Sequence, residues 1–118
     1  MKNRAFLARL GFALSGIALA WRRERSFRTQ VGLGAAALCV TIAVRPGLVW
    51  VALVVLAIAL VLALEMINSA IEAIADHLHP ELATAIKIGK DIAAGAVLLA
   101  SMASVLIAAL MLAARFGE

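Results

Sequence analysis

From Leu48 to Leu64 the chain runs for seventeen residues that are purely apolar. The helical pattern continues past that run through Glu65 to about Leu78. A helix of this length crosses a hydrocarbon layer of about 30 Å and still emerges into water. The rest of the chain agrees with lipid as the main solvent. It is 65% apolar and only 15% charged, with a mean hydropathy of +1.07. A soluble domain of this size is about a quarter charged, so here too little polar surface exists to cover a water-soluble globule. One domain, spanning residues 1–118, is expected at this length.

Two further spans flank the first. An uncharged stretch from Thr29 to Val44 ends at Arg45-Pro46-Gly47, a turn signal. It is slightly short for a full crossing, so Arg28 and Arg45 are expected to snorkel at its edges. His77-Leu78-His79-Pro80 breaks the long helix, and Pro80-Glu81 suits a new helix start. The last apolar segment runs from Ile92 to Ala114 and is closed by Arg115. Before all of these, Phe6, Leu7, Leu10, Leu14, Ile17 and Trp21 share one helical face. Gly11, Gly16 and Arg9 make that segment a poor crossing helix, and a helix lying in the interface is expected. A plain basic anchor with no part in chemistry is the other reading. The expected fold is therefore an all-α membrane protein: an amphipathic interfacial helix over about 4–21 and spans over about 28–45, 48–70 and 91–114.

Charge sets the expected orientation. With the N-terminus inside, Lys2, Arg4, Arg9, Arg22, Arg23, Arg25, Arg28, Lys87 and Lys90 all lie on the cytoplasmic side, and only Arg45 and Arg115 lie opposite. The same bias argues against reading Met1–Ala20 as a signal peptide, because cleavage after Ala18-Leu19-Ala20 would export the cluster Arg22-Arg23-Glu24-Arg25. The net charge of +4 is no nucleic-acid signal, since the basic residues flank apolar runs without stacking aromatics. Cys39 is the only cysteine, so an internal disulfide is impossible, and it reads as a small buried or lipid-facing side chain.

The chemistry concentrates in Glu65-Met66-Ile67-Asn68-Ser69-Ala70-Ile71-Glu72-Ala73-Ile74-Ala75-Asp76. Glu65, Asn68, Glu72 and Asp76 are three, four and four apart, which makes one polar stripe bordered by Ser69. An ionised carboxylate at the bilayer centre costs roughly 2.5–3.5 kcal/mol or more. The stripe must therefore face protein, water, a metal or a polar ligand. Glu72 and Asp76 also read as a solvated continuation of the helix, and Glu65 and Asn68 as glue between helices. Glu65 resists the bland reading best, since it follows a long apolar run with no basic residue near it in sequence. Lys90-Asp91 opens the last span on the same side, followed by the small residues Ala93, Ala94, Gly95 and Ala96, which let a helix or lipid tail approach closely. Lys87 serves equally as a phosphate contact or a basic flank, and Glu24 among arginines reads by itself as a surface ion pair. Carboxylates for a hard divalent ion, a lysine for phosphate and a carboxylate at lipid depth suit phosphoryl transfer with magnesium. No glycine-rich phosphate loop or protein-kinase motif set is present.

The pattern Glu65-x-x-Asn68-Ser69-Ala70-Ile71-Glu72-x-x-x-Asp76, with Lys90-Asp91 downstream, resembles the prokaryotic diacylglycerol kinase family, which includes the undecaprenol kinases. Gly16, Trp21, Glu24, Phe27 and Arg28 match its segment before the first span, so the resemblance covers nearly the whole chain. It implies a homotrimer of three-span subunits with active sites shared between neighbours at the cytoplasmic surface of the bacterial inner membrane. It implies transfer of the γ-phosphate of magnesium ATP to a lipid hydroxyl. By position, Glu65 would be the general base and meet the lipid together with Ala94. Glu24 and Glu72 would hold Mg2+, and both would serve ATP alongside Asp76, Lys90 and Asp91, with Asn68 in support. Departures are Ala75 in place of a β-branched residue and Ser15 near a position where some members carry lysine. Lys87 to Ala96 looks like the undecaprenol branch and Arg115-Phe116-Gly117 like the diacylglycerol branch, so both acceptors stand, diacylglycerol leading.

A reading from another class is a small oligomeric transporter with Glu65 as a proton or cation site. It needs polar groups continuing across the membrane, and Leu48–Leu64 supplies none. His77 and His79 before Pro80 read as ordinary loop.

Overall fold

The computed structural model describes residues 2–78 and 84–117, and every element in them is a helix: α1 Lys2–Arg23, α2 Arg25–Val44, α3 Leu48–Leu78 and α4 Thr84–Phe116. The expected helix start at Pro80-Glu81, and His79, lie outside the described residues. All four helices are long and apolar enough to cross a membrane, α1 being the least apolar. The chain is an all-α membrane protein. Two helices start earlier than the spans read from hydropathy, at Arg25 and at Thr84, because a helix continues through its polar first turns while an apolar run does not.

Helix α3 is the centre of the packing, with both α2 and α4 lying along it. Its inward positions are Val54, Ala57, Val61 and Glu65, all buried and spaced at three or four residues. Small residues set how closely the neighbours approach. A Cβ built on Gly34 of α2 would stand 2.8 Å from Ile58 Cγ2, so the absence of a side chain there is what brings α2 onto α3. Hydroxyls within the apolar layer are satisfied by their own helices: Thr41 Oγ1 donates to Ala37 O and Ser104 Oγ to Ala100 O, each at 2.8 Å.

The chain reverses between α2 and α3 at Arg45-Pro46-Gly47. Arg45 is left-handed (φ 54°) and its N–H donates to Thr41 O, which closes α2. Gly47 follows at φ 107°, where a side chain would be strained. From the far helix, Arg115 Nε donates to Val44 O at 3.1 Å and satisfies another end carbonyl of α2.

The principal extents are 55 × 44 × 23 Å. Helices of about 10 Å diameter packed side by side give a bundle roughly 20–30 Å wide. Helix α1 packs only sparsely against α2 and α3. Only its end is held, at Ala20, whereas Ala5–Ser15 is exposed throughout. The accessible surface is 8758 Å². A compact soluble monomer of this mass exposes about 6,100 Å². The excess is apolar: Leu98, Leu99, Val105 and Leu106 of α4 are each at least 60% exposed, a surface built for lipid or for other copies of the chain.

Candidate active site at the polar end of the bundle

The site forms where α1, α2, α3 and α4 meet at one end. Its first component is an elbow. Glu24 is the single non-helical residue between α1 and α2, with φ −110° and ψ 106°. Its N–H donates to Ala20 O (2.9 Å) and its carbonyl accepts from Arg28 N (3.3 Å), so both helices hold its backbone. Arg28 Nη1 donates to Trp21 O at 2.6 Å and to Arg22 O at 3.2 Å. The sequence suggests a snorkelling Arg28. Instead the guanidinium turns back onto the last carbonyls of α1, which lack partners within their own helix. Phe27, only 4% exposed, anchors the first turn of α2 beside it.

The polar stripe of α3 falls on the same face as Val54, Ala57 and Val61, so the inward face changes from apolar to ionisable at Glu65. Glu65 is 5% exposed, and its Oε1 accepts the Ser26 hydroxyl of α2 at 2.6 Å. Asn68 is half-buried, and its Oδ1 is buried with no hydrogen-bond partner. Glu72 is half-buried and Asp76 exposed. Burial thus falls steadily along the stripe towards water.

Lys90 of α4 reaches across to Asp76 with Nζ 2.8 Å from Oδ1. The Lys90 ammonium titrates above its ordinary range: the hydrogen bond to Asp76 is the main cause, partial desolvation opposes it, and the negative charges of Asp76 and Glu72 add to it. Lys87 and Asp91 pair with each other along α4 at 2.6 Å. Ala94 is exposed one turn further along α4. A groove of about 300 Å³ opens between α1 and α3, lined by Gly16, Ala20, Arg23, Glu24, Ser69 and Ala73 among others.

The structure therefore ties Glu65 to α2, sets Asp76 against Lys90 and turns Glu24 towards the groove beside Ser69. It leaves Asp91 with Lys87 and Ala94 on the outer surface. Sequence reasoning passed over Ser26. Its partner lies thirty-nine residues away, a contact that no local pattern encodes. Among the described residues, no three His, Cys, Asp or Glu side chains converge to hold a metal ion by themselves. Glu24 and Glu72 form no ion pair there either, which leaves two carboxylates of the hard-oxygen type that magnesium takes when phosphate and water complete its shell.

Comparison with known proteins matches this arrangement to one group. The family model for prokaryotic diacylglycerol kinase covers residues 11–112, from the exposed part of α1 to the last turns of α4. A diacylglycerol kinase of Synechocystis sp. is 35% identical over 105 residues. That match takes in 86% of this chain and 58% of the relative, so the chain spans rather more than half of the protein it resembles. The polar stripe, the elbow and the whole of α2 and α3 fall inside the matched region: the chain belongs to the prokaryotic diacylglycerol kinase family.

Proposed function

We propose that the protein is an ATP-dependent lipid kinase that phosphorylates diacylglycerol to phosphatidic acid at the cytoplasmic surface of the bacterial inner membrane. The observation that carries this reading is Glu65, a carboxylate 5% exposed at the point where the inward face of α3 turns from apolar to polar. A base there serves an acceptor arriving from lipid and a nucleotide arriving from water. The lipid hydroxyl oxygen bonds to the γ-phosphorus, the bond from that phosphorus to the bridging oxygen breaks, and ADP leaves. Glu65 takes the hydroxyl proton.

Glu24 and Glu72 would hold magnesium together with the phosphates, and the ion would neutralise charge on the transferring group. Lys90 would meet phosphate from its place beside Asp76, with Asp91 serving the nucleotide, Asn68 supporting the stripe and Ala94 flanking the lipid. Helix α1 would lie in the interface with its basic residues on the cytoplasmic side, a placement that its sparse packing and exposed apolar side chains favour. The apolar outer faces of the bundle favour a homotrimer whose neighbours complete each site. The same mechanism on undecaprenol is the second reading, carried by the segment Lys87–Ala96. An ion pathway is not favoured, because the apolar half of α3 gives an ion no polar group to follow.

The test is transfer of labelled γ-phosphate from ATP in mixed micelles, with diacylglycerol and undecaprenol offered separately, with and without magnesium. Wild type should label one lipid only when magnesium is present. Glu65→Gln should lose activity by about 10²–10⁴-fold while remaining folded. Absence of transfer to either lipid by well-folded protein rejects the kinase reading.

A further inference from the structure

The carboxylate of Glu65 has two oxygens, and they are not equivalent. Oε1 accepts the Ser26 hydroxyl at 2.6 Å, a short, charge-assisted bond. Among the described residues no side chain donates to Oε2. Glu65 has no salt-bridge partner among them either, so the Ser26 hydroxyl is the one side-chain donor offsetting a carboxylate that is 5% exposed.

Ser26 owes its place to three features. Phe27 next to it is buried and Arg28 two residues on is bonded to the end of α1, so the first turn of α2 is rigid. Two turns further along α2, Gly34 lies against Ile58, which fixes how closely α2 approaches α3. The intervals agree: eight residues separate Ser26 from Gly34 and seven separate Ile58 from Glu65, two turns in each helix.

We infer that Ser26 is a positioning residue for Glu65: its hydroxyl holds Oε1, fixes the carboxylate's rotamer and leaves Oε2 directed to the acceptor hydroxyl. The inference rests on the lipid-kinase reading for its consequence and on the hydrogen bond for its basis. It also gives the elbow a second task, since the turn that holds Glu24 holds the partner of Glu65 as well. A carboxylate without that donor samples other rotamers, and a base displaced by about 1 Å costs on the order of a hundredfold in rate.

The test compares Ser26→Ala and Ser26→Thr with wild type in the same micelles. Ser26→Ala should lower kcat by about ten- to a hundredfold with KM for MgATP unchanged, and Ser26→Thr, which restores a hydroxyl, should recover most of the loss. A purely structural role predicts instead that kcat falls only with the folded fraction, with no recovery in the threonine variant, and that result overturns the inference. Infrared difference spectroscopy supplies an arm independent of turnover. The carboxylate band that disappears in Glu65→Gln should shift in Ser26→Ala and stay in place in Ser26→Thr. An unshifted band overturns the hydrogen bond itself. If wild type transfers no phosphate while the band still shifts, the kinase reading fails, and with it the positioning role, but the bond stands.

Discussion

The two halves of α3 present one continuous inward face made of opposite materials. In the first half Val54, Ala57 and Val61 meet α2 and α4 through small apolar contacts. In the second half the same helical positions carry Glu65, Asn68, Glu72 and Asp76. The backbone makes no distinction between the halves, since one unbroken helix serves both. The difference lies in the partners. The apolar half asks only for close approach, which Gly34 supplies against Ile58. The polar half calls for a donor or solvent for each group, and it meets that demand only in part: Ser26 serves buried Glu65 and Lys90 serves exposed Asp76, while the buried Oδ1 of Asn68 between them has no hydrogen-bond partner among the described residues. Packing sets the geometry in one half, and chemistry uses that geometry in the other.

If that division is right, changes in the two halves must fail in different ways. The largest effect belongs to the polar half. Glu72→Gln and Glu24→Gln should each lower kcat/KM for MgATP by about 10²–10³-fold, with unfolding in detergent unchanged and with a raised magnesium requirement. Equal loss of stability and activity in either variant would erase the distinction. Next comes the apolar half. Gly34→Val drives a branched side chain into Ile58 and should destabilise the bundle by about 1–3 kcal/mol in a denaturant titration. Its specific activity per folded molecule should fall as well, because moving α2 also moves Ser26. The smallest effect is expected at the rim. Asp76→Asn removes an exposed ion pair and should leave the unfolding midpoint unchanged, while raising KM for MgATP about two- to fivefold. A midpoint shift as large as that of Gly34→Val would show that the rim carries structure rather than chemistry.

The all-helical class, the order of the apolar helices and the spacing of the polar stripe were legible in the sequence, because each rests on a pattern along a single helix. Leu48–Leu64 needs no partner to declare itself apolar, and Glu65, Asn68, Glu72 and Asp76 share a face whatever lies opposite. The motif likewise pointed to the family, which the match over residues 11–112 bears out. The helix starts at Arg25 and Thr84 were less legible, since hydropathy reports where lipid begins rather than where a helix does.

What the tertiary structure alone decided are the pairings. Arg28 looked like a snorkelling flank until its guanidinium was found on the carbonyls of α1. Ser26 carried no signal at all, because a serine two residues after a glutamate is common and its partner sits on another helix. Asp76 was expected to serve the nucleotide, but its pairing with Lys90 depends on how α4 packs along α3. Periodicity along one helix is encoded locally by 100° per residue. Contact between helices depends on the packing distance and register that Gly34 and Ile58 set, which no single segment contains.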